Sequence, residues 1–331
     1  MDINTNTKKY NISFIKLIKI TEINSLVISG GAMKGYLCLG AIKLLSEYNI
    51  LNKIKYYYGT SIGGIIITCL NLGWSVEELL KFSIEFPIES LLEFDFNNFI
   101  ETYGLIPKIN NETLFKKIIT FKGYNENITF LELYNLTKKE LHLITYSLKL
   151  NKILDINYLT MPDLQIWQGL CMTSALPILF SPFEYKDDIY IDGGIAESFP
   201  LNYIKSENIN KFIGISTNSY YTNWDELNQK IINKNIINNL EYLLELIKII
   251  FTRLNNYNSD NYVKLTFDNS IDKSTVININ IKQILKQKLI NSGYTQIYEQ
   301  LPNIINNIYK QQIDEYNNIY HNKFKTKYNE I

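Results

Sequence analysis

Short apolar runs alternate with helical patterns along the first part of the chain. The runs at 24–29 and 54–58 stop at turns that contain glycine, which predicts buried parallel strands. Each run is followed by a segment with apolar residues at helical spacing, at 33–48 and at 62–72. This order of strand, glycine loop, helix, strand, tight turn and helix is typical of βαβ units and predicts an open α/β sheet.

The rest of the chain gives weaker patterns. Ser75 and Glu78 form a capping box that predicts the start of a helix over 75–82, whereas 85–107 is irregular, rich in Phe, Leu and Ile, and is interpreted as a lid or cap. The further predicted elements are strands at 141–145, 183–185, 189–191 and 212–216, and helices at 163–174, at 236–254 and beyond Pro302.

The chain shows no Gly/Ser or Pro linker and no internal repeat. We therefore predict one domain in three parts: an N-terminal extension (1–22), a catalytic core (23–220) and a mainly helical C-terminal elaboration (221–331).

Composition narrows the classes of function. The 331 residues contain 33 Lys+Arg and 33 Asp+Glu, so the net charge is zero and no nucleic-acid partner is expected. Cys38, Cys69 and Cys171 lie far apart in apolar stretches, which predicts reduced core residues instead of a disulfide framework or a metal site. With no signal-peptide pattern and no apolar run long enough to span a bilayer, we expect a cytoplasmic protein that makes at most peripheral membrane contact.

A serine lies at the turn between the second predicted strand and its helix. Gly59, Thr60, Ser61, Ile62 and Gly63 form a G-x-S-x-G pattern. Glycines around the serine permit the sharp turn that exposes a nucleophilic Oγ, and the N-terminus of the following helix directs its amides at developing negative charge. The alternative interpretation is a glycine-rich turn whose serine only caps the helix.

A glycine-rich loop, GGAMKG at 30–35, follows the first predicted strand. The dinucleotide-binding motif G-x-G-x-x-G fits poorly, because Ala32 stands where its second glycine is required and no acidic residue ends the next predicted strand. A phosphate-binding Walker loop does not fit, because it requires Ser or Thr directly after the lysine and Lys34 is followed by Gly35. The functional interpretation that remains is an oxyanion hole of backbone amides; the alternative is a turn required only for packing.

A third motif, Asp192, Gly193 and Gly194, follows the predicted strand at 189–191. Asp-Gly is common in plain turns, which is the alternative interpretation. In the functional interpretation, the Asp192 carboxylate is held at a strand end and accepts the proton of Ser61.

These motifs in this order resemble the patatin-like phospholipases, over about residues 24–218. Further residues that carry the resemblance are Thr173, Ser174, Ala175, Leu176, Pro177, Phe180, Pro182, Phe199 and Pro200. The resemblance implies a three-layer α/β/α fold with a mainly parallel central sheet, followed here by the C-terminal helical elaboration.

The resemblance also implies roles for individual residues. Ser61 is expected to be the nucleophile and Asp192 its catalytic partner. The oxyanion-hole amides are expected from Gly30, Gly31, Ala32, Lys34 and Gly35. Two positions depart from the family, since Ala32 stands where a third glycine is usual and Lys34 where arginine is frequent. An alanine forced into a glycine-only conformation would misform the hole, and lysine keeps the charge of arginine without its planar fork.

The chain has only two histidines, His142 and His321. A Ser–Asp–His triad would require His321, which lies in a polar, Lys- and Asn-rich segment and is expected to be exposed. His142 lies on a short predicted strand and is expected in the core or on a sheet face. The sequence therefore favours a dyad without histidine.

We expect acyl-ester hydrolysis of phospholipids or other acyl lipids (phospholipase A or lysophospholipase type) through an acyl-enzyme, with no metal and no cofactor. The alternatives are acyl transfer to an alcohol or lysolipid by the same residues, and a catalytically weak lipid-binding protein that keeps the fold. No motif in the sequence specifies a lipid head group or a protein activator.

Overall fold

A computed structural model describes residues 23–87, 95–217, 262–265 and 282–328. Its strands are β1 (Ser25–Ile28), β2 (Tyr56–Thr60), β3 (Gly104–Ile106), β4 (Glu140–Ser147), β5 (Lys152–Ile156), β6 (Ile178–Phe180), β7 (Phe183–Tyr185), β8 (Asp188–Asp192), β9 (Phe212–Ser216) and β10 (Tyr262–Lys264). Its α-helices are α1 (Gly35–Glu47), α2 (Ile62–Asn71), α3 (Val76–Glu85), α4 (Phe96–Thr102), α5 (Lys108–Phe121), α6 (Phe130–Thr137), α7 (Ile166–Ser174) and α8 (Gln283–Tyr328).

Eight of these strands form one sheet, in which β10 pairs with β9, β9 with β1, β1 with β2, β2 with β4, and β4 with both β8 and β5, while β7 pairs with β8. Strands β10, β9, β1, β2 and β4 run parallel, whereas β5 and β8 run antiparallel to β4, and β7 runs antiparallel to β8. The predicted α/β fold with a mainly parallel sheet is confirmed. The carboxyl ends of parallel strands meet at one edge, where sites form in open α/β sheets.

The main core lies on the sheet face that carries Leu26, Ile28 and Leu143, and side chains of α1, α2, α7 and α8 pack into it. On the opposite face, Val27 and Tyr58 pack under Phe199 and neighbouring residues. Leu201 and Tyr203, from a short 3₁₀ turn, and the following Ile204 also pack on this second face. Cys38, Cys69 and Cys171 are buried and reduced, as predicted.

Helix α8 belongs to the body of the domain. It crosses α1 so closely that a Cβ on Gly40 would overlap the Ile290 carbonyl, and one on Gly293 would overlap the Leu37 carbonyl. At the start of α8, the buried Lys286 ammonium donates to the Phe86 carbonyl at the end of α3. The C-terminal part therefore packs on the helix that directly follows the glycine-rich loop.

Several predicted elements differ from the structure. The region at 85–107, predicted to be irregular, contains α4 and β3, and β3 pairs with β6 as a separate small sheet. These elements are seven and three residues long, too short for a clear hydrophobic period. The helix predicted beyond Pro302 begins earlier, at Gln283, with Pro302 inside it, and the helix predicted at 236–254 lies outside the described residues.

Candidate active site

Strands β2 and β8 meet end to end along one side of β4. Thr60, the last residue of β2, is opposite Ile144, and Asp192, the last residue of β8, is opposite Thr145. Because β5 occupies the other side of β4 over the same residues, β2 and β8 must share this side. The two strands approach each other from opposite directions. Ser61, which comes directly after Thr60, and Asp192 therefore lie next to each other where the two strands meet.

The backbone at Ser61 forms a strained turn between β2 and α2. Ser61 has φ 55° and ψ −127°, a conformation that a non-glycine residue rarely adopts. The turn is tight because α2 starts against β1: a Cβ on Gly63 would overlap the Ile28 carbonyl oxygen. The serine is half-buried and stands at the N-terminus of α2, as the G-x-S-x-G pattern predicts.

The Asp192 side chain is fully buried. Its Oδ1 accepts a hydrogen bond from the Gly194 amide at 2.7 Å, and its Oδ2 accepts none from any described residue. Burial raises the pKa of Asp192 to about 7, although the nearby Ser61 hydroxyl and the Gly194 amide favour the ionised form. A carboxylate with a free oxygen and a pKa near neutrality is suited to accept a proton.

The amides of the glycine-rich loop divide into two groups. Three amides already donate hydrogen bonds within the protein. The Gly30 amide donates to the Ser198 carbonyl at 2.9 Å, and the Lys34 amide donates to the Gly31 carbonyl at 3.0 Å. The Gly35 amide donates to the carbonyls of Ala32 and Met33. Among the described residues, no acceptor is found for the amides of Gly31, Ala32 and Met33. Of the five amides predicted for the oxyanion hole, three are thus engaged within the protein, and the assignment of the hole stays a prediction.

The two departures from the family pattern have structural answers. Ala32 adopts φ 49°, a left-handed backbone conformation that costs a non-glycine residue about 1–2 kcal/mol. Lys34 donates from Nζ to the Thr217 carbonyl at 3.1 Å, just beyond β9. Burial lowers the pKa of Lys34 to about 8. Its ammonium thus ties the loop to the neighbouring strand.

A family model described as "Patatin-like phospholipase" matches residues 26–205, more than half of the chain. The chain belongs to the patatin-like phospholipase family. The match begins in β1 and ends beyond β8, so it includes the loop, Ser61 and Asp192. Membership assigns the chain to a family of lipid acyl hydrolases.

Individual relatives agree with this patatin-like assignment. The chain is 32% identical over 203 residues to the "Probable lipid hydrolase 463L" of Invertebrate iridescent virus 6, covering 59% of this chain and 67% of that protein. It is 27% identical to the protein R571 of Acanthamoeba polyphaga mimivirus, covering 88% of this chain and 98% of that one. Triacylglycerol lipase 5 of Saccharomyces cerevisiae is 30% identical, but the chain spans only 23% of its length.

Among solved structures, VipD from Legionella pneumophila resembles this patatin-like chain in fold. The TM-score is 0.51 at 15% sequence identity, and the superposition covers 85% of this chain and 67% of VipD. At this identity the likeness concerns the fold alone.

His142 binds two carboxylates and makes no hydrogen bond to Ser61 or Asp192 within the described residues. Its Nδ1 is 2.8 Å from Asp155 Oδ2, its Nε2 is 3.3 Å from Glu140 Oε2, and its ring stacks on Tyr58 at 4.3 Å between centroids. Lys205 binds the same Glu140 carboxylate at 2.9 Å. Burial alone would lower the pKa of His142, but the bonds to Asp155 and Glu140 outweigh it and raise the pKa above the usual value. The predicted position of His142 in the core or on a sheet face agrees with this environment.

His321, the other histidine, lies in α8, in a part of the helix of which only the backbone is described.

We expect His142→Gln to destabilise the protein in a pH-dependent way without loss of activity. The raised pKa means that protonated His142 stabilises the fold fully below the ordinary histidine pKa, and that this contribution disappears as the pH rises through the folded-state pKa. In thermal melts, the variant should be less stable than wild type by about 2 kcal/mol at pH 6, and this deficit should shrink as the pH rises through the folded-state pKa of His142. A deficit independent of pH would contradict this charge assignment.

The described residues contain no cluster of three or more His, Cys, Asp or Glu side chains arranged for a metal. Within the same ranges, no helix is both long and apolar enough to cross a membrane.

Proposed function

We propose that the protein hydrolyses fatty-acyl esters of lipids with a Ser61–Asp192 dyad, of the phospholipase A or lysophospholipase type. The end-to-end meeting of β2 and β8 on β4 is the observation that carries the proposal. It brings the strained serine turn beside a buried carboxylate with an unoccupied Oδ2. Family membership and the lipid hydrolase and lipase named among the relatives support an acyl-lipid substrate.

The reaction would proceed in two acyl-transfer steps. Asp192 accepts the Ser61 proton as Oγ attacks the ester carbonyl, and the oxyanion forms hydrogen bonds with the amides of Gly31, Ala32 and Met33. The carbonyl re-forms, the alcohol leaves with the proton from Asp192, and the acyl group stays on Ser61. Water then loses a proton to Asp192, attacks the acyl-enzyme and releases the fatty acid, and the proton returns to Ser61.

The test is fatty-acid release from mixed phospholipid vesicles in the presence of EDTA. Wild type should release fatty acid, Ser61→Ala should not, and Ser46→Ala at the end of α1 is the matched serine control. His321→Ala should keep activity. Release by Ser61→Ala would reject the nucleophile, and loss in His321→Ala would replace the dyad with a triad. Added lysolipid acceptor distinguishes hydrolysis from acyl transfer.

We expect the activity to rise with pH through a midpoint near 7. Asp192 must be ionised to accept a proton, and burial raises its pKa to about 7, so it is inactive as a base well below that pH. The kcat/KM profile of wild type against a soluble chromogenic ester measures this midpoint. A flat profile between pH 5 and 8, at intact fold, would contradict a base with this pKa.

A further inference from the structure

The hydroxyl of Thr173 contacts the backbone of the nucleophile turn. Ser61 N–H donates to Thr173 Oγ1 at 3.0 Å, and Thr173 Oγ1 donates to the Ile144 carbonyl at 2.6 Å. A hydroxyl has one proton, so these two bonds use it as acceptor once and as donor once. Thr173 is fully buried in the last turn of α7, 112 positions from Ser61 in the chain.

The Ser61 amide needs such a partner from outside its own helix. Ser61 precedes the first turn of α2, where amides have no acceptor in the helix. Its positive φ also removes it from the regular pattern of β2. A hydrogen bond from another element can therefore select this backbone conformation, and with it the direction of Oγ.

The same Ile144 carbonyl also limits the Asp192 turn. Gly193 approaches it so closely that a Cβ there would lie 2.5 Å from the Ile144 oxygen. Through Thr173 on one side and Gly193 on the other, both catalytic turns are fixed against one peptide group of β4.

The end of α7 holds the aspartate strand as well. The Asp192 amide donates to the Ala175 carbonyl at 2.9 Å, and the single hydroxyl proton of Thr145 is shared between the carbonyls of Ile191 (2.8 Å) and Met172 (3.2 Å). The segment 172–175 thus contacts the backbone of both members of the dyad. Within it, only the Thr173 side chain bonds to the serine turn among the described residues.

We infer that Thr173 is a positioning residue that sets the orientation of Ser61 relative to Asp192. The inference rests on the proposed Ser61–Asp192 reaction. Threonine suits the role because its branched Cβ restricts χ1, and because its methyl group lies where Gly64 leaves room: a Cβ on Gly64 would be 3.1 Å from Thr173 Cγ2.

The test compares Thr173→Val with Thr173→Ser. Valine keeps the shape and removes the hydroxyl, and serine keeps the hydroxyl and removes the methyl. We expect Thr173→Val to lower kcat about 10- to 100-fold with little change in KM, because a misdirected nucleophile affects the chemical step. Serine should restore kcat to within about threefold of wild type, although its melting temperature falls. Labelling of Ser61 by a fluorophosphonate should slow in Thr173→Val by the same factor as kcat.

Thr68→Val is the matched control. Thr68 is also buried and donates to a backbone carbonyl, that of Gly64 at 2.7 Å, but makes no bond to Ser61. It should lose stability and keep kcat. Wild-type kcat in Thr173→Val, or equal loss of kcat in Thr173→Ser or Thr68→Val, would overturn the inference. If Ser61→Ala retained activity in the same assay, the proposed function itself would fail; an inactive Ser61→Ala beside a fully active Thr173→Val rejects the positioning role alone.

Discussion

Replacing Asp192 with asparagine is expected to lower kcat between about 10²- and 10⁴-fold, the range that general-base catalysis supplies. Asparagine keeps an Oδ1 that can accept the Gly194 amide, so the turn is preserved. It cannot accept the Ser61 proton. Initial rates on a soluble ester, measured at pH 8 where wild-type Asp192 is mostly ionised, quantify the loss.

The stability of Asp192→Asn separates loss of the base from loss of the fold. Since the folded-state pKa of Asp192 is raised, the ionised carboxylate is unfavourable in the folded protein, and wild-type stability falls as the pH rises from the ordinary carboxyl pKa to about 7. At pH 8 the variant should therefore unfold at a temperature no lower than wild type. Retained kcat in a folded Asp192→Asn would eliminate Asp192 as the base.

Gly63→Ala is expected to destroy the serine turn. Its Cβ would overlap the backbone oxygens of Ile28 and Ser29, which cannot move without displacing β1 from the central sheet. We expect a loss of more than about 4 kcal/mol in the free energy of unfolding, among the largest single-residue effects. Denaturant titration measures it, and kcat should be undetectable in whatever fraction folds.

Gly64→Ala is the matched control for this position. A Cβ on Gly64 would meet the side chains of Leu143 and Thr173 at 3.1 Å, and the Gly59 carbonyl oxygen only at 3.6 Å, an ordinary contact, so the cost should be about 1 kcal/mol. Equal stability of Gly63→Ala and Gly64→Ala would mean that the start of α2 does not pack against the Ile28 carbonyl at the end of β1.

The strands and turns that carry Ser61 and Asp192 could be predicted because their sequence signals are local. The run at 24–29, the glycines around Ser61 and the Asp-Gly turn each report a short-range requirement of the backbone, and the structure has β1, β2 and β8 at these positions. The capping box of Ser75 and Glu78 is local in the same sense, and both of its hydrogen bonds are present.

What could not be predicted depends on pairing between distant segments. The Gly30 amide donates a hydrogen bond to the Ser198 carbonyl, 2.9 Å away, and no sequence pattern within 30–35 predicts this contact. The environment of His142 depends on the antiparallel pairing of β5 with β4, which puts Asp155 within 2.8 Å. Thr173 is one of the residues that carry the family resemblance, but only the fold brings it into contact with Ser61, 112 positions away in the chain.

The most direct test of the central claim is the site of covalent modification by a fluorophosphonate. Wild-type protein should be labelled once, on the peptide that contains Ser61, with the rate increasing through a midpoint near pH 7 as Asp192 ionises. Asp192→Asn should be labelled far more slowly than wild type above pH 7, and its rate should show no midpoint near pH 7. Labelling on another serine, or labelling of Ser61 at the wild-type rate in folded Asp192→Asn, would contradict a Ser61–Asp192 dyad.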